Sequence, residues 1–195
     1  MSGNADIDGL LWGYRWTFSE LTYAFPTDTA EYLDNGYVEI NGFTAMDAPW
    51  QAAILEILAG ITGFITLDVV PTPPDEIATF RFGGAAKVNY TDDGTVAQAT
   101  GLHVPGNGTA EANPPDIGDD FNPPYSAPYA QGDVWFNLAN YPDIRPGTYG
   151  YSAGIMHEIG HSFGLKHGHA SQYAHGEIFP KLPYQHNSYE YSVMT

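Results

Sequence analysis

The stretch Tyr149-Gly-Tyr-Ser-Ala-Gly-Ile-Met-His157-Glu158-Ile-Gly-His161-Ser-Phe163, followed by Gly164-Leu-Lys-His167, decides the reading of this 195-residue chain. Its apolar spacing predicts a helix over 149–163 that stops at Gly164. Residues four apart on a helix are rotated by about 40° and lie about 6 Å apart along the axis. His157 and His161 can therefore present two imidazole nitrogens to one ion. If the helix continued, His167 would face elsewhere. Glycine tolerates positive φ, so a helix end at Gly164 lets the chain bring His167 back to the other two.

Three neutral histidines with an open position describe a catalytic zinc centre, because structural sites are closed by four protein ligands. Glu158 sits beside the first ligand without needing to bind the ion. There it can accept a proton from a metal-activated water and pass it to a leaving amine. The pattern H-E-x-x-H-x-x-G-x-x-H is met at every fixed position. At ordinary residue frequencies its chance occurrence in a chain of this size is on the order of one in ten thousand or rarer.

Upstream, Leu21–Phe25 reads as a strand ended by Pro26. Thr44 is the N-cap candidate, and Asp47 the capping-box partner, of an amphipathic helix over Gln51–Ile61. Phe64–Val70, Ile77–Phe82 and Asp133–Asn137 read as strands, and Thr95–Thr100 with Leu102–Val104 as a weaker one. Residues 105–131 are dense in Pro, Asn, Gly and Asp and read as a long loop, and the chain turns loop-like again after Gly164. The order of strand, helix, four strands and helix makes a mixed α/β domain.

Composition narrows the function. Six Lys+Arg stand against 23 Asp+Glu, a formal charge of −17, which disfavours nucleic acid or an anionic membrane as partner. There is no cysteine, so a disulfide scaffold, a Cys-type zinc module and a cysteine nucleophile are excluded. The first eight residues lack the basic and apolar regions of a signal peptide, and no run of apolar residues is long enough to span a bilayer.

The extended histidine pattern is that of the metzincin metalloproteases. Within them the chain most resembles the serralysins, secreted bacterial zinc endopeptidases. The likeness runs from Leu10-Leu-Trp12, Trp16 and Leu21–Phe25 through Ile77–Gly83, Gly132–Asn137 and Tyr149–His167 to Ser192-Val-Met194-Thr195, which matches the Met-turn. It implies a twisted, mixed five-stranded sheet with a long N-terminal helix and an active-site helix. It implies Zn²⁺ on His157, His161 and His167, Glu158 as general base and acid, and Met194 packed beneath the metal. Peptide would dock antiparallel along an edge strand, for which residues 95–104 are the candidate. A monomer acting on protein or peptide, and type I export without signal peptide or disulfides, are the further implications.

Two departures stand out. The tyrosine that follows the family's Met-turn would come just after Thr195, and no G-G-x-G-x-D-x-U-x calcium-binding repeat occurs. The expectation is a single catalytic domain truncated at the Met-turn, with a non-catalytic zinc-binding or interaction fragment as the alternative. His103, His169, His175 and His186 are secondary ligand candidates, each more readily a loop or surface histidine. Asp116, Asp119 and Asp120 could hold Ca²⁺, although their spacing fits no EF-hand and a solvated loop is favoured. Tyr149, Tyr151, Tyr184, Tyr189 and Tyr191 could touch substrate, with aromatic packing the preferred reading. Glu56 is expected to face solvent.

Overall fold

Strand β1 (Glu20–Ala24) lies parallel to two strands distant in sequence, β3 (Asp68–Pro71) and β4 (Phe80–Gly84). These relations come from a computed structural model, which describes residues 1–13, 16, 20–33, 37–73, 77–90, 97–98, 110–112, 132–141, 143–174 and 176–195. Strand β8 (Val134–Phe136) extends the sheet in parallel on the far side of β4. β7 (Ala110–Ala112) closes that edge antiparallel to β8. The sheet order is β3-β1-β4-β8-β7, so four parallel strands carry one antiparallel edge strand. A second sheet joins β2 (Tyr37–Asn41), β5 (Lys87–Tyr90) and β6 (Ala97–Gln98), all antiparallel.

Parallel strands covered on both faces read as continuous apolar runs, and every residue of β4 and β8 is buried. Phe80, Phe82, Val134 and Phe136 share one face, set by the register Phe82↔Val134 and Gly84↔Phe136. After the one-turn helices α1 (Ala5–Asp8) and α2 (Ala30–Leu33), the long helix α3 (Ala48–Thr62) buries Trp50, Ala53, Ile54, Ile57 and Leu58, the expected three- and four-residue stripe. Trp50 brings it onto Phe136 at 5.1 Å between ring centroids. The helix carrying the histidines packs on the same face, with Phe163 5.2 Å from Phe80. On the opposite face Arg81 and Asp133 form a fully buried two-pronged ion pair at 2.8 and 2.7 Å, with the guanidinium 4.6 Å from the Tyr32 ring centre.

Several local expectations shift. Asp47, not Thr44, caps α3, its carboxylate accepting from the Trp50 N–H at 3.1 Å. Thr44 instead exchanges two backbone hydrogen bonds with Gly84, a long-range bridge that outcompetes a local cap. The strand read from Phe64 begins only at Asp68, where its partner Glu20 lies, and Phe64 is 93% exposed. Of residues 95–104 only Ala97 and Gln98 are described, at the edge of the second sheet. The main sheet has β3 at one edge and β7 at the other; β7 falls inside the segment read as a loop and lies against the histidine helix. After Gly164 a short hairpin forms, β9 (Gln172–Ala174) and β10 (Glu177–Phe179).

Candidate metal centre

The histidine helix is continuous but changes its winding. Over Gly150–Met156 it takes wider π-type turns, and His157–Ser162, here α4, is regular α-helix. π-Turns inside helices are uncommon and recur at functional sites. The helix ends where the sequence predicts. Gly164 has φ +90°, its N–H donates to the His161 carbonyl at 2.9 Å, and the Leu165 N–H reaches back to the Gly160 carbonyl at 3.0 Å. That 5→2 and 6→1 pair is a Schellman cap. It reverses the chain and returns His167.

The three Nε2 atoms then lie 3.0, 3.1 and 3.3 Å from one another. Nδ1 of His157 is 2.6 Å from the Val193 carbonyl, and Nδ1 of His161 is 2.7 Å from the Leu165 carbonyl. A carbonyl only accepts, so in both rings Nδ1 carries the proton and Nε2 presents a lone pair. Three nitrogens bound at 2.0–2.1 Å in a tetrahedral arrangement should sit about 3.3–3.4 Å apart. The observed spacing meets that within a few tenths of an ångström. Converging lone pairs repel unless a cation lies between them, so the donor set fits a metal ion and suits zinc.

Electrostatics keeps these donors neutral. Burial, with His157 adding to it, pushes the His161 imidazole down to about 3. Burial and the neighbouring His157 bring His167 to about 4, and burial lowers His157 as well. Glu158 is buried, and burial alone raises its carboxyl to about 8. Desolvation without an offsetting donor or cation is a way to place a carboxyl's proton exchange near neutral pH.

Around this set the chain builds a frame. Met194 is buried beneath α4, its Sδ 2.7 Å from where a β-carbon on Gly160 would be, so a side chain at Gly160 would have to push Met194 aside. The Gly168 N–H donates to the Met194 carbonyl at 3.0 Å, tying the Met194 segment to the loop that carries His167. From the other end, the Trp12 ring lies edge-on to His161 at 5.6 Å between centroids, and the Trp12 backbone N–H donates to the Gly164 carbonyl at 2.9 Å. Lys166 buries its ammonium among the carbonyls of Gly9, Ala170 and Pro180, joining the N-terminal segment, the ligand loop and the hairpin. Gly160, Lys166, the contact of Trp12 with His161 and the two orienting carbonyls escape the sequence reading. Backbone carbonyls leave no side-chain signature, while the glycine between the two helical histidines was a legible cue.

Among the described residues, His157, His161 and His167 are the one group of His, Asp or Glu side chains close enough together to hold an ion. His103, His175, Asp116, Asp119 and Asp120 lie outside the described residues. His169 does not join the ligand atoms; its ring stacks on His167. His186 pairs with Asp6 at 2.6 Å. Tyr149, Tyr184, Tyr189 and Tyr191 are exposed, whereas Tyr151 is buried, and burial together with the charge of the exposed Glu56 raises its hydroxyl above the usual phenol value. No described helix is long and apolar enough to cross a membrane.

Comparison with known proteins adds no relative: no family model matches the chain, and no curated protein matches it. What stands is a three-histidine cluster with metzincin-like spacing in a mixed α/β fold with a parallel sheet.

Proposed function

We propose that this chain is a zinc-dependent endopeptidase of the metzincin type, serralysin-like in its motifs, that hydrolyses peptide bonds of proteins. One observation carries the reading: three histidine Nε2 atoms converge within 3.3 Å, with the buried carboxyl of Glu158 next in sequence to the first. Zn²⁺ held by His157, His161 and His167 would supply Lewis acidity, polarising a carbonyl and acidifying water. The chain's own part is to keep the three donors deprotonated and to move protons at the Glu158 carboxylate. That group takes a proton as base, then returns it to the departing amine as acid. The carbonyls of Val193 and Leu165 hold two of the ligands in the required tautomer. Met194 and Gly160 set the floor.

The sheet supports an extended peptide as the substrate. β7 is an edge strand against α4, so an extended peptide added antiparallel to it would run beside the histidines. Export from the cell belongs to the same proposal, and a chain without cysteine suits a route that forms no disulfides.

The experiment is hydrolysis of casein or a quenched fluorogenic peptide by the zinc-loaded chain, with and without chelator. Chelator should abolish cleavage and added zinc restore it. Glu158→Ala should keep the metal and lose cleavage by about 10²-fold or more. A zinc-loaded chain that cuts nothing would favour a non-catalytic zinc-binding module instead.

A further inference from the structure

The three ligands are not held alike. His157 and His161 are buried and each is oriented through Nδ1 by a backbone carbonyl, at 2.6 and 2.7 Å. His167 is exposed, and among the described residues its Nδ1 has no such acceptor. It also stands beyond the Gly164 turn, outside the helix that fixes the other two. A ligand with free rotation about its side-chain bonds would lose that freedom on binding metal, and affinity would fall accordingly.

Something else restrains it. The His169 ring lies 5.2 Å from the His167 ring with the planes only 15° apart, an offset stack. The backbone makes the pairing possible. Gly168, between them, is buried and pinned on both sides, its N–H donating to the Met194 carbonyl at 3.0 Å and its carbonyl accepting from the Leu182 N–H at 2.9 Å. Residues 167 and 169 are both exposed, so the two side chains leave the same side of this anchored glycine. His169 contributes no nitrogen to the cluster of mutually close ligand atoms.

We infer that His169 is a positioning residue for the third metal ligand, its ring serving as a plate that holds His167 in the orientation the other two receive from carbonyls. The inference rests on reading the histidine cluster as a metal centre.

The test is zinc affinity of the full chain by competition with a chromophoric chelator, together with the visible absorption spectrum of the cobalt(II)-loaded protein. His169→Ala should weaken zinc roughly two- to tenfold, the range of an aromatic pair, at an unchanged one ion per chain. Its cobalt spectrum should shift, because the third nitrogen is no longer held in place. His169→Phe keeps a flat ring and has no nitrogen, so it should bind zinc within about twofold of the wild type with the wild-type cobalt spectrum. If Ala and Phe lose affinity equally, His169 acts through its nitrogen and the inference is wrong. If neither changes affinity or spectrum, the stack is idle and the inference is equally wrong. His167→Ala separates the two levels: unchanged zinc affinity there would overturn the three-histidine reading itself.

Discussion

Gly160→Ala should destabilise the protein, although on an isolated helix the same change would stabilise it. Alanine exceeds glycine in helix propensity by about 1 kcal/mol. In the folded chain the added β-carbon would sit 2.7 Å from Met194 Sδ. That is roughly 1 Å inside the ordinary 3.5–4.0 Å contact distance. Met194 is only 1% exposed, so its side chain has little room to retreat. Overpacking of this kind costs about 1–3 kcal/mol, for a net loss of about 0–2 kcal/mol. Met194→Ala alone should cost about 2–5 kcal/mol through lost packing and a cavity. In that background the clash partner is gone, so adding Gly160→Ala should now stabilise by about 1 kcal/mol. The sign of one substitution thus reverses with the state of residue 194. Urea unfolding followed by tryptophan fluorescence on the metal-free protein reads all four corners of the cycle. If Gly160→Ala stabilises in both backgrounds, Met194 does not form the floor of the helix.

Other expectations follow from the same geometry. Asp133→Ala should cost about 3–5 kcal/mol in the same unfolding assay, because it removes the carboxylate that pairs with the fully buried Arg81 guanidinium. Glu158 has a folded pKa near 8, above its usual 4.5, so it favours folding fully below pH 4.5 and that contribution is lost as pH rises through 8. Thermal melts in chelator should therefore show wild-type stability declining from pH 6 to 9, and Glu158→Gln should remove that decline. His161 and His167 are depressed to about 3 and 4, so their contribution is present above pH 6.5 and lost as pH falls through those values. Zinc affinity should accordingly hold from pH 7 to 5 and collapse toward pH 4; a midpoint at the ordinary histidine pKa would contradict it.

The site was more legible than its supports. His157, His161 and His167 could be read because i, i+4 spacing and a terminating glycine are rules of local backbone geometry, and Gly164 obeys them with φ +90°. The buried stripe of α3 was legible for the same reason: helical periodicity needs no knowledge of the partner. What failed depended on partners far along the chain. The sequence suggests Thr44 as the cap with Asp47 as its capping-box partner, and only the long-range bridge of Thr44 to Gly84 leaves the cap to Asp47. Phe64–Leu67 has β-prone residues, yet pairing with β1 starts at Asp68. β7 lies in a Pro- and Gly-rich stretch whose composition masks three residues that pair with β8. The Arg81–Asp133 pair spans 52 residues and has no local signal. The ligand-orienting carbonyls of Val193 and Leu165 are invisible to any reading of side-chain types.

The central claim is that His157, His161 and His167 together hold one metal ion. Titration of the metal-free chain with zinc against a chromophoric chelator addresses it directly. The account predicts one tightly bound ion per chain in the wild type and in Glu158→Gln, and loss of tight binding in His161→Ala. Equal zinc retention by His161→Ala would contradict it.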